Sequence, residues 1–122
     1  MIRPYDETDS DQIIETWREA SLIAHPFLSS SFMQQEEVNL RSLFLPRSKT
    51  WVYVDQDRVV GFISMIDHVV GGIFVHPRWQ RKGVGAALID KARIRHAQLE
   101  LEVFEANHQG RAFYQKYGFV EI

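Results

Sequence analysis

A chain of 122 residues with 45 % apolar side chains holds one packed core in a single domain, residues 1–122, and is too hydrophobic to be disordered. A net charge of −2 argues against general nucleic-acid binding, and the lack of cysteine removes disulfides, thiol nucleophiles and thiolate metal sites. No run is long enough to span a membrane and the N-terminus has no apolar signal core, so a cytoplasmic protein is expected.

Residues 2–5 read as a short first strand. Asp9-Ser10-Asp11-Gln12 is placed to cap a helix in which Ile13, Trp17 and Ala20 recur at helical spacing, and His25-Pro26-Phe27 breaks it. Residues 29–31, three serines, cap a second helix with Leu40, Leu43 and Phe44 on one side and Pro46 at its end. Residues 50–54 and 59–66 form a hairpin across Asp55-Gln56-Asp57. Gly71-Gly72, suited to a bulge, opens a third strand at residues 73–75, which Pro77 stops. A helix is expected over 83–96 and an alternating strand over 98–104. Asn107 caps a last helix containing Ala112, Phe113 and Tyr117, Gly118 closes it, and Phe119-Val120 starts one more strand. A hairpin-rich first half and an alternating second half make a mixed sheet covered by helices.

The strongest single signal is Gln80-Arg81-Lys82-Gly83-Val84-Gly85, between the apolar Ile73-Phe74-Val75 and the helix-like Ala86-Ala87-Leu88-Ile89. A glycine turn between strand and helix suits phosphate: the backbone can approach a ligand closely, and the free N–H groups of the first helical turn point at an anion. Arg81 and Lys82 add positive charge there, unless they are a solvated surface pair. The turn is neither a Walker A loop nor a Rossmann fingerprint. The five histidines show no HxxxH or HxH spacing, so no metal site is expected, and no Gly-x-Ser-x-Gly elbow supports a serine hydrolase.

Taken in order, Ile73-Phe74-Val75-His76-Pro77, the glycine turn, Leu101-Glu102-Val103, Asn107 and Ala112-Phe113-Tyr114-Gln115-Lys116-Tyr117-Gly118-Phe119 resemble the GNAT superfamily of acyl-CoA-dependent N-acetyltransferases. The likeness covers nearly the whole chain and is nearest to bacterial enzymes that acetylate protein lysines or N-termini; His25-Pro26-Phe27 suggests the lysine-acetylating branch. It implies an α/β (α+β) fold with a mixed, mostly antiparallel central sheet, about four flanking helices, and acetyl-CoA as cosubstrate. Arg81, Lys82, Gly83, Val84, Gly85 and Ala86 would hold the CoA pyrophosphate, Ile73, Phe74 and Val75 would pair with the pantetheine arm, and Asn107 would contact the cofactor near the splay of two strands. Tyr114 would protonate the leaving thiolate. Glu102, five residues before Asn107, matches a catalytic base of the N-terminal-acetylating branch.

These residue types suit the chemistry. An amine attacks a thioester only when neutral, so a base must take a proton, and a phenol is a reasonable acid for the departing thiolate. Each residue also has an ordinary structural use: Asn107 as a helix N-cap, Tyr114 as packing, Glu102 as an exposed strand residue. Acceptors other than a protein amine stay open, namely a polyamine or antibiotic, as does a non-catalytic acetyl-CoA sensor. Members of the family carry a further strand beyond the one starting at Phe119. With Ile122 the last residue, the C-terminal strands are expected to be cut short and the open sheet edge to favour a homodimer.

Overall fold

In a computed structural model that describes residues 1–103 and 105–120, one five-stranded sheet runs through the molecule in the order β1-β2-β3-β4-β5. The strands are β1 (Ile2–Pro4), β2 (Lys49–Asp55), β3 (Arg58–Ile66), β4 (Val69–Val75) and β5 (Glu100–Leu101). The first four are mutually antiparallel, and β5 joins β4 in parallel. The helices are α1 (Ser10–Ala24), α2 (Ser30–Asn39), α3 (Leu45–Arg47, a single turn), α4 (Val84–Arg93) and α5 (His108–Lys116). The mixed, mostly antiparallel sheet and its four longer helices match the fold expected from the sequence. No described helix is long and apolar enough to cross a membrane.

Side-chain alternation puts apolar residues on both sheet faces. Val52, Val59 and Phe62 join Ile13 and Trp17 of α1 on one face, while Ile63, Met65 and Val70 join Val84, Leu88 and Ala92 of α4 on the other. The central strand β3 is buried from Val59 to Met65, because helices cover both of its faces. The β2–β3 turn uses Gln56 and Asp57 at φ 50° and 64°, the primed geometry that follows the twist of a hairpin.

Strand β4 starts earlier than expected, at Val69, helix α4 ends earlier, at Arg93, and four further expectations change. The first cap is Asp6 rather than the 9–12 stretch: it opens a 3-10 turn, Glu7–Asp9, through a reciprocal capping box with Asp9, and α1 starts at Ser10. Pro46 does not end the second helix. Helical backbone runs unbroken through Pro46 to Arg47 and turns extended only at Ser48, and the residues just before the proline, Leu40–Phe44, widen into a π-helical turn. The 98–104 strand shortens to Glu100–Leu101, with Glu102 and Val103 outside it and Phe104 outside the described residues. Phe119 and Val120 form no strand; Glu121 and Ile122 lie outside the described residues.

The β4–β5 pairing ends beside a bulge in β4. Across the β3–β4 ladder Ser64 faces Gly72 and Met65 faces Val70, so Gly71 is the extra, bulged residue. Beside it, β4 pairs with β5 only at Val69↔Glu100 and Val70↔Leu101. A bulge bends the strand that carries it, and past this one no ladder pair joins β4 to β5 among the described residues.

Arg3 ties β1 to the first turn by donating to both oxygens of the Asp9 carboxylate at 2.8 Å each. The Asp6 N–H donates to the same buried carboxylate at 2.8 Å. The hydrogen bonds from Arg3, foremost, hold the Asp9 carboxyl below its ordinary 3.8 and outweigh the opposing effect of burial. This stabilisation is complete above the unfolded value and disappears as pH falls through the lower folded value. Asp9→Asn should therefore cost about 1–3 kcal/mol at pH 7. In acid the gap to wild type should close, as urea melts at pH 7 and pH 2.5 would test; an equal gap at both pH values would assign the loss to the cap alone.

Candidate active site

The parting of β4 and β5 opens a cleft of about 890 Å³ between the 71–75 edge of β4, the end of α1 with residues 24–28, and α5. On that side, among the described residues, Gly71 to Val75 have no strand partner, so the β4 edge keeps backbone groups for another ladder. Ile73, Phe74 and Val75 all line the cleft. The Gln80 side-chain amide donates to Val75 O at 3.0 Å, and Gln109 of α5 donates to Gln80 Oε1 at 3.3 Å. These bonds hold the end of β4, the glycine turn and α5 together.

At the cleft's other end stands the N-terminus of α4. Gly83 is its N-cap at φ 85° and supplies no side-chain cap, and the first helical bond runs from Ala87 N to Gly83 O at 3.0 Å. The N–H groups of Val84, Gly85 and Ala86 precede that bond and have no helical acceptor. The two glycines serve different ends. A Cβ on Gly83 would meet no protein atom within 4 Å, so the left-handed backbone is what requires glycine there. A Cβ on Gly85 would stand 2.9 Å from the Phe113 ring, so there the requirement is close packing of α4 on α5. Arg81, at φ 63°, lines the cleft with Gly83, Gly85 and Ala86. Lys82 is exposed away from the cleft wall, and the Val84 side chain enters the core.

Helix α5 supplies the third wall. Asn107 is its N-cap, its Oδ1 accepting the Gly110 N–H at 2.9 Å, while Nδ2 meets His25 Nε2 at 3.2 Å. The capping use of Asn107 is thus real, and the residue lies in the cleft as well. Seven residues on, Tyr114 faces the same space, half-buried, its ring edge-on to Phe113 and Phe119 at centroid distances of 5.4 and 5.7 Å. Burial pushes its phenol up from 10.0 to about 12. Gly118 at φ 95° ends the helix, and Phe119 N–H bonds back to Tyr114 O at 3.0 Å. Glu102 is exposed at the cleft margin, just past β5.

A family model described as the acetyltransferase (GNAT) domain matches residues 46–121, more than half of the chain. The chain belongs to the GNAT acetyltransferase family. It is accordingly an acyltransferase, and its cosubstrate is acetyl-CoA. YiaC of Escherichia coli K12, a peptidyl-lysine N-acetyltransferase, is 31 % identical over 120 residues, covering 98 % of this chain and 82 % of YiaC. YjaB of the same organism, also a peptidyl-lysine N-acetyltransferase, is 31 % identical over 119 residues, covering 97 % of this chain and 80 % of YjaB. The solution structure of apo YjaB superposes with a TM-score of 0.89 at 30 % identity, covering 98 % of this chain and 82 % of that one. The PaiA N-acetyltransferase of Thermoplasma acidophilum, solved with coenzyme A, shares the fold with a TM-score of 0.86 at 20 % identity, over 98 % of this chain and 89 % of that one.

The GNAT cleft brings Ile73, Phe74, Val75, Arg81, Gly83, Gly85, Ala86, Asn107, Tyr114 and Glu102 to one place, and leaves out only the side chains of Lys82 and Val84. Two further residues, Glu36 and His25, line the same cleft. Glu36 of α2 is a half-buried carboxylate in the wall of this GNAT cleft, although its place on a polar helix stretch reads in the sequence as a solvated face. Its neighbour Glu37 pairs with Arg18, whereas Glu36 has no ion pair among the described residues. His25 stands beside Asn107 across 82 positions of sequence, a separation at which no local pattern signals contact.

Proposed function

We propose that this acetyltransferase moves the acetyl group of acetyl-CoA to the ε-amine of a lysine in a protein or peptide, by direct attack of the amine on the thioester. What supports it is one meeting of parts: the free edge of β4, the N-terminus of α4 without a side-chain cap, and Tyr114 all line one cleft. The peptidyl-lysine activity named for YiaC and YjaB favours a lysine acceptor. The pyrophosphate sits on the N–H groups of residues 84–86 with Arg81 alongside, where the helix dipole favours anions, and Lys82 adds only longer-range positive charge. The pantetheine amides extend the sheet along Ile73, Phe74 and Val75, and Asn107 borders the cofactor at the splay. The lysine nitrogen bonds to the acyl carbon as the carbon–sulfur bond breaks. Its proton leaves through water to Glu102, and Tyr114 donates a proton to the sulfur.

Acceptor assays with a peptide whose only free amine is a lysine, a peptide whose only free amine is its N-terminus, and a polyamine test the assignment. Acetylation of the lysine peptide is the expected result; turnover with only one of the other two would move the acceptor there. Glu102→Gln should slow the lysine reaction about tenfold or more at pH 7 and progressively less toward pH 10, where more of the amine is already neutral. A variant profile parallel to wild type across that range would return Glu102 to the protein surface and leave deprotonation to solvent.

A further inference from the structure

The contact between His25 and Asn107 has a defined polarity. Asn107 Oδ1 is occupied by the Gly110 N–H, so the atom facing His25 Nε2 is Nδ2, which can only donate. Nε2 must therefore offer a lone pair, and the ring is neutral with its proton on Nδ1. Gly110 makes the fit close, since a Cβ there would lie 2.5 Å from Asn107 Nδ2. His25 follows directly after α1 in the wall of the cleft, and Asn107 begins the helix that carries Tyr114.

We propose that His25 is a positioning residue for acetyl transfer: its unprotonated Nε2 accepts from Asn107, locks the N-cap of α5, and thereby holds Tyr114 at the reacting thioester. The inference rests on the reading of Tyr114 as the group that meets the leaving sulfur. Protonated His25 would set N–H against N–H. Relief requires the Asn107 amide to turn over, which takes its oxygen away from Gly110 and releases the first turn of α5. The titratable groups sharing the cleft wall are Glu36 of α2, Arg81 of the glycine turn, Glu102 after β5, Tyr114 and Lys116 of α5, and Tyr117. Burial, rather than any of these charges, keeps His25 below its ordinary 6.5, so the locked form is the one present at neutral pH.

Nitrogen-15 NMR of the unliganded protein tests the lock without reference to acceptor or catalysis. The Gly110 amide resonance should move with the same midpoint as the His25 ring; a Gly110 amide that ignores the His25 titration overturns the proposal. Kinetics with acetyl-CoA and the lysine peptide give the second readout. His25→Gln places an oxygen where Nε2 stood and cannot titrate. It should keep kcat at pH 7.5 within about threefold and lose the part of the acid limb that follows His25. His25→Ala should lower kcat about five- to tenfold, the worth of one hydrogen bond at a helix cap, with a smaller change in KM. Wild-type kcat in His25→Ala, or a Gln variant as slow as the Ala variant, would overturn the role. If no acceptor turns over, the function proposed above fails while the NMR titration still decides the lock.

Discussion

Tyr114→Phe should lower kcat about ten- to a thousandfold while acetyl-CoA binding stays within about twofold. The ring is held by Phe113 and Phe119, and phenylalanine keeps those contacts while deleting only the hydroxyl. The loss is then one of proton donation and not of packing. Because burial lifts the phenol to about 12, it stays protonated at every pH at which an amine acetyltransferase is assayed. Removing it should thus lower the whole pH profile without moving its limbs. A group whose folded value is raised contributes stability that is complete below its unfolded value and lost as pH rises through the folded one. For Tyr114 that loss falls between about pH 10 and 12, so the wild type should lose stability there and the Phe variant should not share that component. Steady-state kinetics with calorimetric acetyl-CoA titrations provide the check. A Phe variant that cleaves the thioester at the wild-type rate, with that step limiting, would reduce Tyr114 to a packing residue.

Gly83→Val should weaken acetyl-CoA binding at least about a hundredfold, near 3 kcal/mol, in a protein that still folds. Two costs are separable here. The left-handed backbone at φ 85° penalises any side chain by about 1–2 kcal/mol, which lowers Tm by several degrees. The Cβ meets no protein atom within 4 Å, so the fold itself does not collide with it. The larger loss arises only with ligand present, because the branched side chain stands beside the N–H groups that the pyrophosphate must approach. Gly85→Ala should behave in the opposite manner. Its clash is with Phe113, so stability should suffer before affinity does. Calorimetric affinity set beside thermal melts for both variants distinguishes the two glycines; unchanged affinity in folded Gly83→Val would place the pyrophosphate elsewhere.

Local chemistry accounts for what could be read before folding. Ser29, Asn107 and Gly118 each perform the capping role their residue type announces, because a cap is a contact within three or four positions. The glycine turn was legible for the same reason: a strand, a left-handed glycine and a helix start are neighbours in the chain, and an anion site there needs only backbone N–H groups. The ordered set of family-like segments carried the acetyltransferase assignment, since each segment is short and contiguous.

Tertiary structure decided the rest, wherever the determining partner is far away in sequence. The alternation of Leu99, Leu101 and Val103 suggests a longer strand, yet β5 ends at Leu101, where its pairing with β4 stops beside the bulge at Gly71, some thirty positions earlier. The cleft opens where that pairing stops. Pro46 reads as a stop, but the helical backbone passes through it to Arg47 after a π-turn at Leu40–Phe44. Whether Asn107 is a cap or a site residue had no answer in its own neighbourhood. Only the fold sets His25 against it, and the polarity of that one hydrogen bond follows from donors and acceptors that the chain brings together across 82 residues.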